Sequence, residues 1–157
     1  MNELEPLNQQ KLFGLQNHLL ELINLYKKNI YPNKLLLSGQ KGIGKSTLAY
    51  HLINFVLSEN EECSYDCENN KINSENKSYK LIQNRSNPNF NLIDVEDDKK
   101  YIDINQIRKL IINLNKSSFN LKKRFVLIDN IELLNINSIN ALLKILEEPN
   151  ENINFIL

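Results

Sequence analysis

Residues 39–46 read Gly39-Gln40-Lys41-Gly42-Ile43-Gly44-Lys45-Ser46 and satisfy the pattern G-x-x-x-x-G-K-[ST] at every position. Those residue types at that spacing suit the capture of a polyphosphate. Glycines at the turning points let several backbone N–H groups converge on an anion with no side chain in the way. Lys45 would set an ammonium against the β- and γ-phosphates, and Ser46 would offer its hydroxyl to Mg²⁺. The helix expected to start there adds its positive dipole end. Three of the four glycines in the chain fall between positions 39 and 44. With glycine that scarce, a chance match anywhere is on the order of one in a thousand, treating positions as independent. The alternative is a tight turn that needs glycine for geometry alone. The strand-like run before the loop and the helical spacing after it favour phosphate binding.

A second candidate is Asp129, which closes the apolar run Phe125-Val126-Leu127-Ile128. A carboxylate at the end of a strand next to a phosphate loop can hold Mg²⁺, directly or through water. A helix-capping Asp after a core strand is the plainer alternative. Where such sites hydrolyse nucleotide, a carboxylate in the following position polarises the attacking water. Here that position is Asn130, and an amide cannot accept a proton from water. Glu132, two residues further on, is expected to point elsewhere. Nucleotide binding is therefore better supported than hydrolysis.

These residues must be positioned by strands and helices. Leu12, Leu15, Leu19, Leu22, Ile23 and Tyr26 recur at spacings of three and four, which predicts a helix over about 15–29. The run 34–38 reads as a short buried strand, and Leu48, Ala49, Leu52, Ile53, Val56 and Leu57 continue from the glycine loop at helical spacing. A second strand is expected over 90–95. Asp103 can cap a helix carrying Ile104, Ile107, Leu110, Ile111 and Leu114, with Gln106 placed to complete a capping box. After the strand at 125–129, Ile136, Ile139, Leu142, Leu143 and Leu146 mark a helix stopped by Pro149, and 154–157 reads as a fourth strand. Nearly apolar strands alternating with helices predict an α/β fold with a parallel sheet covered on both faces. The chain ends inside that last strand, as the front part of a longer protein would.

Composition sets outer bounds. The 157 residues are room for one ordinary domain. Apolar residues at 41% supply a core, and 19 basic against 19 acidic side chains argue against disorder. That balance also removes any net-charge argument for nucleic acid or anionic membrane, leaving local patches. Lys122-Lys123-Arg124 is one such cluster, and it reads most simply as exposed charge. No run approaches the ~18 consecutive apolar residues of a membrane span. The first residues lack a secretion signal, and two cysteines are too few to staple a domain, so a cytoplasmic protein is expected. Residues 59–89 crowd Glu59, Glu61, Glu62, Asp66, Glu68 and Glu75 among Asn and Ser, which reads as a polar surface insertion. His18 and His51 lie on expected helices as ordinary surface or packing residues.

Three segments together carry a family resemblance. The stretch from Asn33 through the glycine loop to Ala49, the stretch Val126-Leu127-Ile128-Asp129 with Leu133-Leu134-Asn135, and Asn140-Ala141-Leu142-Leu143-Lys144-Ile145-Leu146-Glu147-Glu148-Pro149 resemble the delta-prime and gamma/tau subunits of bacterial DNA polymerase III clamp loaders. Phe13-Gly14 and Asn87-Pro88-Asn89 fit the same pattern. The resemblance covers residues from about 12 to 157. It implies a P-loop AAA+ nucleotide-binding subdomain over 1–157 with sheet order 5-1-4-3-2. The fifth strand, sensors, arginine finger, lid and collar would lie beyond Leu157. ATP and Mg are the implied cofactors. Gly39, Gln40, Lys41, Gly42, Ile43, Gly44, Lys45, Ser46 and Thr47 would bind the nucleotide, with Ser46 and Asp129 at the metal.

The implied partners are the other subunits of a hetero-pentamer and, through it, the sliding clamp and primed DNA, with no membrane. Asn130 favours the delta-prime type, a stator, over a hydrolysing gamma/tau motor. A free-standing P-loop kinase of a small metabolite is a third reading, opposed by residues 140–149. The family often carries a four-cysteine zinc module after the P-loop helix. Here only Cys63 and Cys67 stand in that place, and two thiolates cannot close a tetrahedral site. Glu147 and Glu148 could face a neighbour's nucleotide or simply finish a helix.

Overall fold

The structure is a computed structural model and describes residues 5–96, 99–115, 123–147 and 152–157. Lys122, Glu148 and Pro149, named above, lie outside the described residues. The chain packs as two compact units, one of Met1–Pro32 with Leu37–Asn87, the other of Asn33–Leu36 with Pro88–Leu157.

The first unit is built on helices α1 (Gln16–Lys27), α2 (Lys45–Leu57) and α3 (Lys77–Gln83). Helix α1 buries Leu19, Leu22 and Ile23, the three-and-four spacing expected of a one-sided helix. Helix α2 is buried on every side from Leu48 to Leu57, including Tyr50, His51, Asn54 and Phe55, which lie off the apolar stripe. The cause lies in residues 59–89. That segment is polar in composition, but the reading of it as surface loop is corrected: Tyr65, Ile72, Asn76, Ser78, Tyr79 and Ile82 are buried in it.

Its acids and amides serve its turns and the start of α3. Asn76 caps α3 through the N–H of Tyr79 at 2.7 Å, accepts from Asn54 Nδ2 at 3.2 Å and donates to the carbonyl of Cys63 at 2.8 Å. The Glu61 carboxylate accepts from both the N–H and the hydroxyl of Ser78. Asp66 accepts from the N–H groups of Glu68 and Asn69, and these bonds hold its carboxyl below the usual range, the side-chain bond from Asn69 foremost. Polar side chains satisfied locally give no apolar periodicity, which is why this order was invisible in the pattern.

The second unit carries strands β1 (Lys34–Leu35), β2 (Phe90–Ile93), β3 (Arg124–Ile128) and β4 (Ile153–Ile156), with helices α4 (Ile104–Leu114) and α5 (Ile136–Glu147). The strands form one parallel sheet in the order β1-β4-β3-β2. This is the expected order without its fifth member. Central β3 and β4 are buried along their whole length, as a sheet covered on both faces requires. Register pairs Val126 with Asn91 on one side and with Phe155 on the other. The first strand is shorter than the expected 34–38 and is not buried: Lys34 is exposed and Leu35 half-buried, because its described partner lies on one side alone.

The core of this unit joins Ile107, Leu110 and Leu114 of α4 to Val126, Ile128, Leu142 and Phe155. Each such side chain contributes about 1.5–3 kcal/mol through removal from water. The expected capping box is present: Asp103 accepts from the N–H of Gln106, whose side chain accepts from the N–H of Asp103. Two readings change. Arg124 is buried rather than exposed, its guanidinium donating to the carbonyls of Leu114 at 2.9 Å and Asn113 at 2.7 Å. Within the α5 stripe Leu142 is buried, while Ile136, Ile139 and Leu143 face solvent.

Candidate functional site

The glycine loop follows β1 in sequence and runs directly into α2. Gly42 and Gly44 take φ angles of +84° and +98°, the left-handed region where a side chain is strained. Gly44 is also the N-cap of α2, and its carbonyl accepts the N–H of Leu48 at 2.9 Å, the first bond of the helix. With no side chain at the N-cap, the amides of the first helical turn meet no capping acceptor from that residue. A Cβ at Gly44 would touch Leu15 Cδ1 at 3.4 Å, so the helix start also sits close to the segment entering α1.

Residues 39–43 are exposed and Gly44 to Thr47 half-buried. The N–H of Ile43 donates to the carbonyl of Gln40 at 3.4 Å, tightening the turn. Lys45 folds back across the loop. Its Nζ donates to the carbonyls of Gly39 at 2.9 Å and Gln40 at 3.1 Å, so the ammonium is held inside the curve of the backbone. The structure thus brings together Gly39, Gln40, Ile43, Gly44 and Lys45 as one loop around a fixed positive charge. A helix N-terminus, glycines with left-handed backbone and an ammonium folded back onto the loop are the parts needed to hold an oxyanion.

Asp129 belongs to the second unit, at the C-terminal end of β3. Its N–H continues the ladder to the carbonyl of Ile93 at 2.9 Å, and its Oδ1 accepts the N–H of Asn130 at 3.0 Å. Asn130 turns the chain with φ +55° and ψ +47°. Its Nδ2 donates to Asp94 Oδ1 at 2.9 Å, so the position after Asp129 is occupied by an amide committed to the residue that follows β2. Asp94 had no signal in the sequence beyond lying within the strand expected over 90–95. Glu132 lies exposed in the short 3-10 turn Ile131–Leu133.

Cys63 and Cys67 are free thiols, and the described residues hold no group of three or more His, Cys, Asp or Glu arranged for a metal. No helix among the described residues is long and apolar enough to cross a membrane.

A parallel α/β sheet whose first strand leads into a glycine loop and then a helix, with a carboxylate closing the third strand, defines a P-loop nucleotide-binding fold. Comparison with known proteins narrows that class. The sequence model of the family described as "DNA polymerase III, delta subunit" matches residues 15–157, and the chain belongs to that family. The chain is 32% identical over 114 residues to DNA polymerase III subunit delta' of Pseudomonas aeruginosa, covering 73% of this chain and 33% of that one. It is 29% identical over 152 residues to DNA polymerase III subunit gamma of Buchnera aphidicola subsp. Schizaphis graminum, covering 97% and 39%. It spans between a third and two-fifths of the length of these relatives. A gamma subunit-related protein of DNA polymerase III from Thermotoga maritima shares the fold, with a TM-score of 0.59 at 20% identity over 87% of this chain and 38% of that chain.

Proposed function

We propose that this chain is the nucleotide-binding part of a delta-prime-type clamp-loader subunit that binds Mg-ATP without hydrolysing it. The observation that carries the reading is the loop itself: Lys45 folds back onto the carbonyls of Gly39 and Gln40, and the left-handed glycines deliver the chain into α2. Phosphate oxygens would draw the Lys45 ammonium from the carbonyls of Gly39 and Gln40. Gly39, Gln40, Lys41, Gly42, Ile43, Gly44, Lys45, Ser46 and Thr47 form the nucleotide side of the reading. Ser46 and Asp129 are the hard oxygen donors assigned to magnesium, the ligand type that ion takes. Bound magnesium would neutralise phosphate charge. Asn130, an amide tied to Asp94, leaves the position after Asp129 without a base.

The family supports the wider role. In it the chain would join other clamp-loader subunits in a cytoplasmic hetero-pentamer that places a sliding clamp on primed DNA, acting as a stator for neighbouring motors. Calorimetric titration of Mg-ATP and of ADP into the full-length protein tests the binding. Saturable heat in the wild type, lost in Lys45→Ala, is the expected result; no heat from either nucleotide in folded wild-type protein overturns it.

The gamma-type relative at similar identity supports a second reading, a gamma/tau-type motor. Turnover in a reconstituted complex separates the two: a rate abolished by Lys45→Ala favours the motor, and an unchanged rate favours the stator.

A further inference from the structure

The Asn130 amide is one end of a polar chain that runs from β3 to the start of α4. Asp94 Oδ1 accepts Asn130 Nδ2 at 2.9 Å and also the N–H of Val95 at 2.7 Å. The carbonyl of Asp94 accepts Gln106 Nε2 at 2.8 Å. Gln106 in turn accepts the N–H of Asp103 at 3.0 Å, completing the cap of α4. Asp94 is therefore held by both its backbone and its side chain. Its carboxylate faces position 130 from a site that cannot readily turn away.

Three features of position 130 agree. The backbone is left-handed at φ +55°, a region asparagine enters more readily than most other side chains. Its side chain must present a donor, because Asp94 presents a carboxylate oxygen. The pair is half-buried, where two like charges repel with little screening. A glutamate at 130, the residue that would take a proton from water, would stand carboxylate against carboxylate.

We propose that Asp94 is a positioning residue that dictates an amide at position 130, so that the Asp94–Asn130 pair, not Asn130 alone, keeps this strand end free of a water-activating base. The hydrolytic meaning rests on the nucleotide-binding reading above; the pairing does not.

The test is a four-protein cycle in the full-length chain: wild type, Asn130→Glu, Asp94→Asn, and the double variant in which amide and carboxylate trade places. Asn130→Glu alone is expected to lower the melting temperature by roughly 4 °C or more. In the Asp94→Asn background the same change is expected to cost less than half of that, because Asn at 94 can donate to Glu at 130. An equal loss in both backgrounds overturns the proposal, since the cost would then be backbone strain alone. So does an Asn130→Glu protein that melts like wild type and turns over ATP. Titrating Mg-ATP into the same proteins separates the two readings. Coupling without nucleotide binding in the wild type leaves the pair standing and removes the proposed function. Binding without coupling does the reverse.

Discussion

The ring of His51 and the hydroxyl of Tyr65 meet in the interior of the first unit, with Nδ1 and the tyrosine oxygen 2.8 Å apart and the rings edge to face. The other ring nitrogen, Nε2, lies 3.0 Å from the carbonyl of Gln9. A carbonyl can only accept, so Nε2 carries the proton and Nδ1 accepts from Tyr65. One neutral imidazole thereby ties α2 to both the residues before α1 and the segment after α2.

Burial lowers the pKa of His51 to about 4 from an ordinary 6.5, against a smaller opposing effect of its bond to Gln9. Between those values the unfolded chain binds a proton that the folded chain refuses, so stability falls as pH drops from 6.5 toward 4. The loss amounts to about 3 kcal/mol at the low end. Melting curves from pH 7.5 to 4.5 are expected to show it. His51→Gln should melt lower at pH 7.5 but with a flatter dependence over that range; an unchanged slope would assign the pH effect to other groups.

Lys45 contacts only the carbonyls of its own exposed loop in the hydrogen bonds described above. Lys45→Ala is therefore expected to leave the melting temperature within about 2 °C of wild type, as for surface changes. Affinity for Mg-ATP should fall at least tenfold, about 1.4 kcal/mol. Calorimetry and a thermal melt on the same sample check both halves.

Gly42 and Gly44 separate two costs of adding a Cβ. Both have left-handed backbone, but the Cβ of Gly42 meets open space while that of Gly44 meets Leu15. Gly42→Ala is expected to lose about 1 kcal/mol from strain alone, and Gly44→Ala about 2 kcal/mol. Urea denaturation of both, with Leu15→Ala added to Gly44→Ala, reads the difference; the added truncation should narrow the gap if Leu15 is its source.

Arg124 closes the C-terminal turn of α4 with two N–H donors on two adjacent carbonyls. Removing the guanidinium takes its donor from the buried carbonyl of Leu114 and empties the space it fills, so Arg124→Ala is expected to cost about 2–3 kcal/mol. Arg124→Lys should recover less than half, because an ammonium lacks the planar fork. Equal stability of the lysine variant and wild type would show that charge, not geometry, holds the helix end.

Much of the architecture was legible in the residues. The glycine loop, the capping box at Asp103 and Gln106, and the four strands with the helices between them are local in sequence and stand in the order read, with β1 shorter and α3 added. Two of the misreadings share one cause. Arg124 looked like surface charge because its partners, the carbonyls of Asn113 and Leu114, are backbone groups that leave no trace in composition. The 59–89 segment looked like loop because its order rests on Asn76, Glu61 and Ser78 satisfying one another, which no hydrophobic period reports.

By itself the sequence determined the glycine loop, since the placement of its glycines, Lys45 and Ser46 follows from residue type at fixed spacing. It also determined that position 130 carries an amide and not a base. Only the tertiary structure decided what that amide does. Asp94 and Asn130 are brought together by the parallel pairing of β2 with β3, and His51 and Tyr65 by the fold of the segment after α2. Hydrogen bonds between distant residues depend on register and packing, which become definite once the chain has folded.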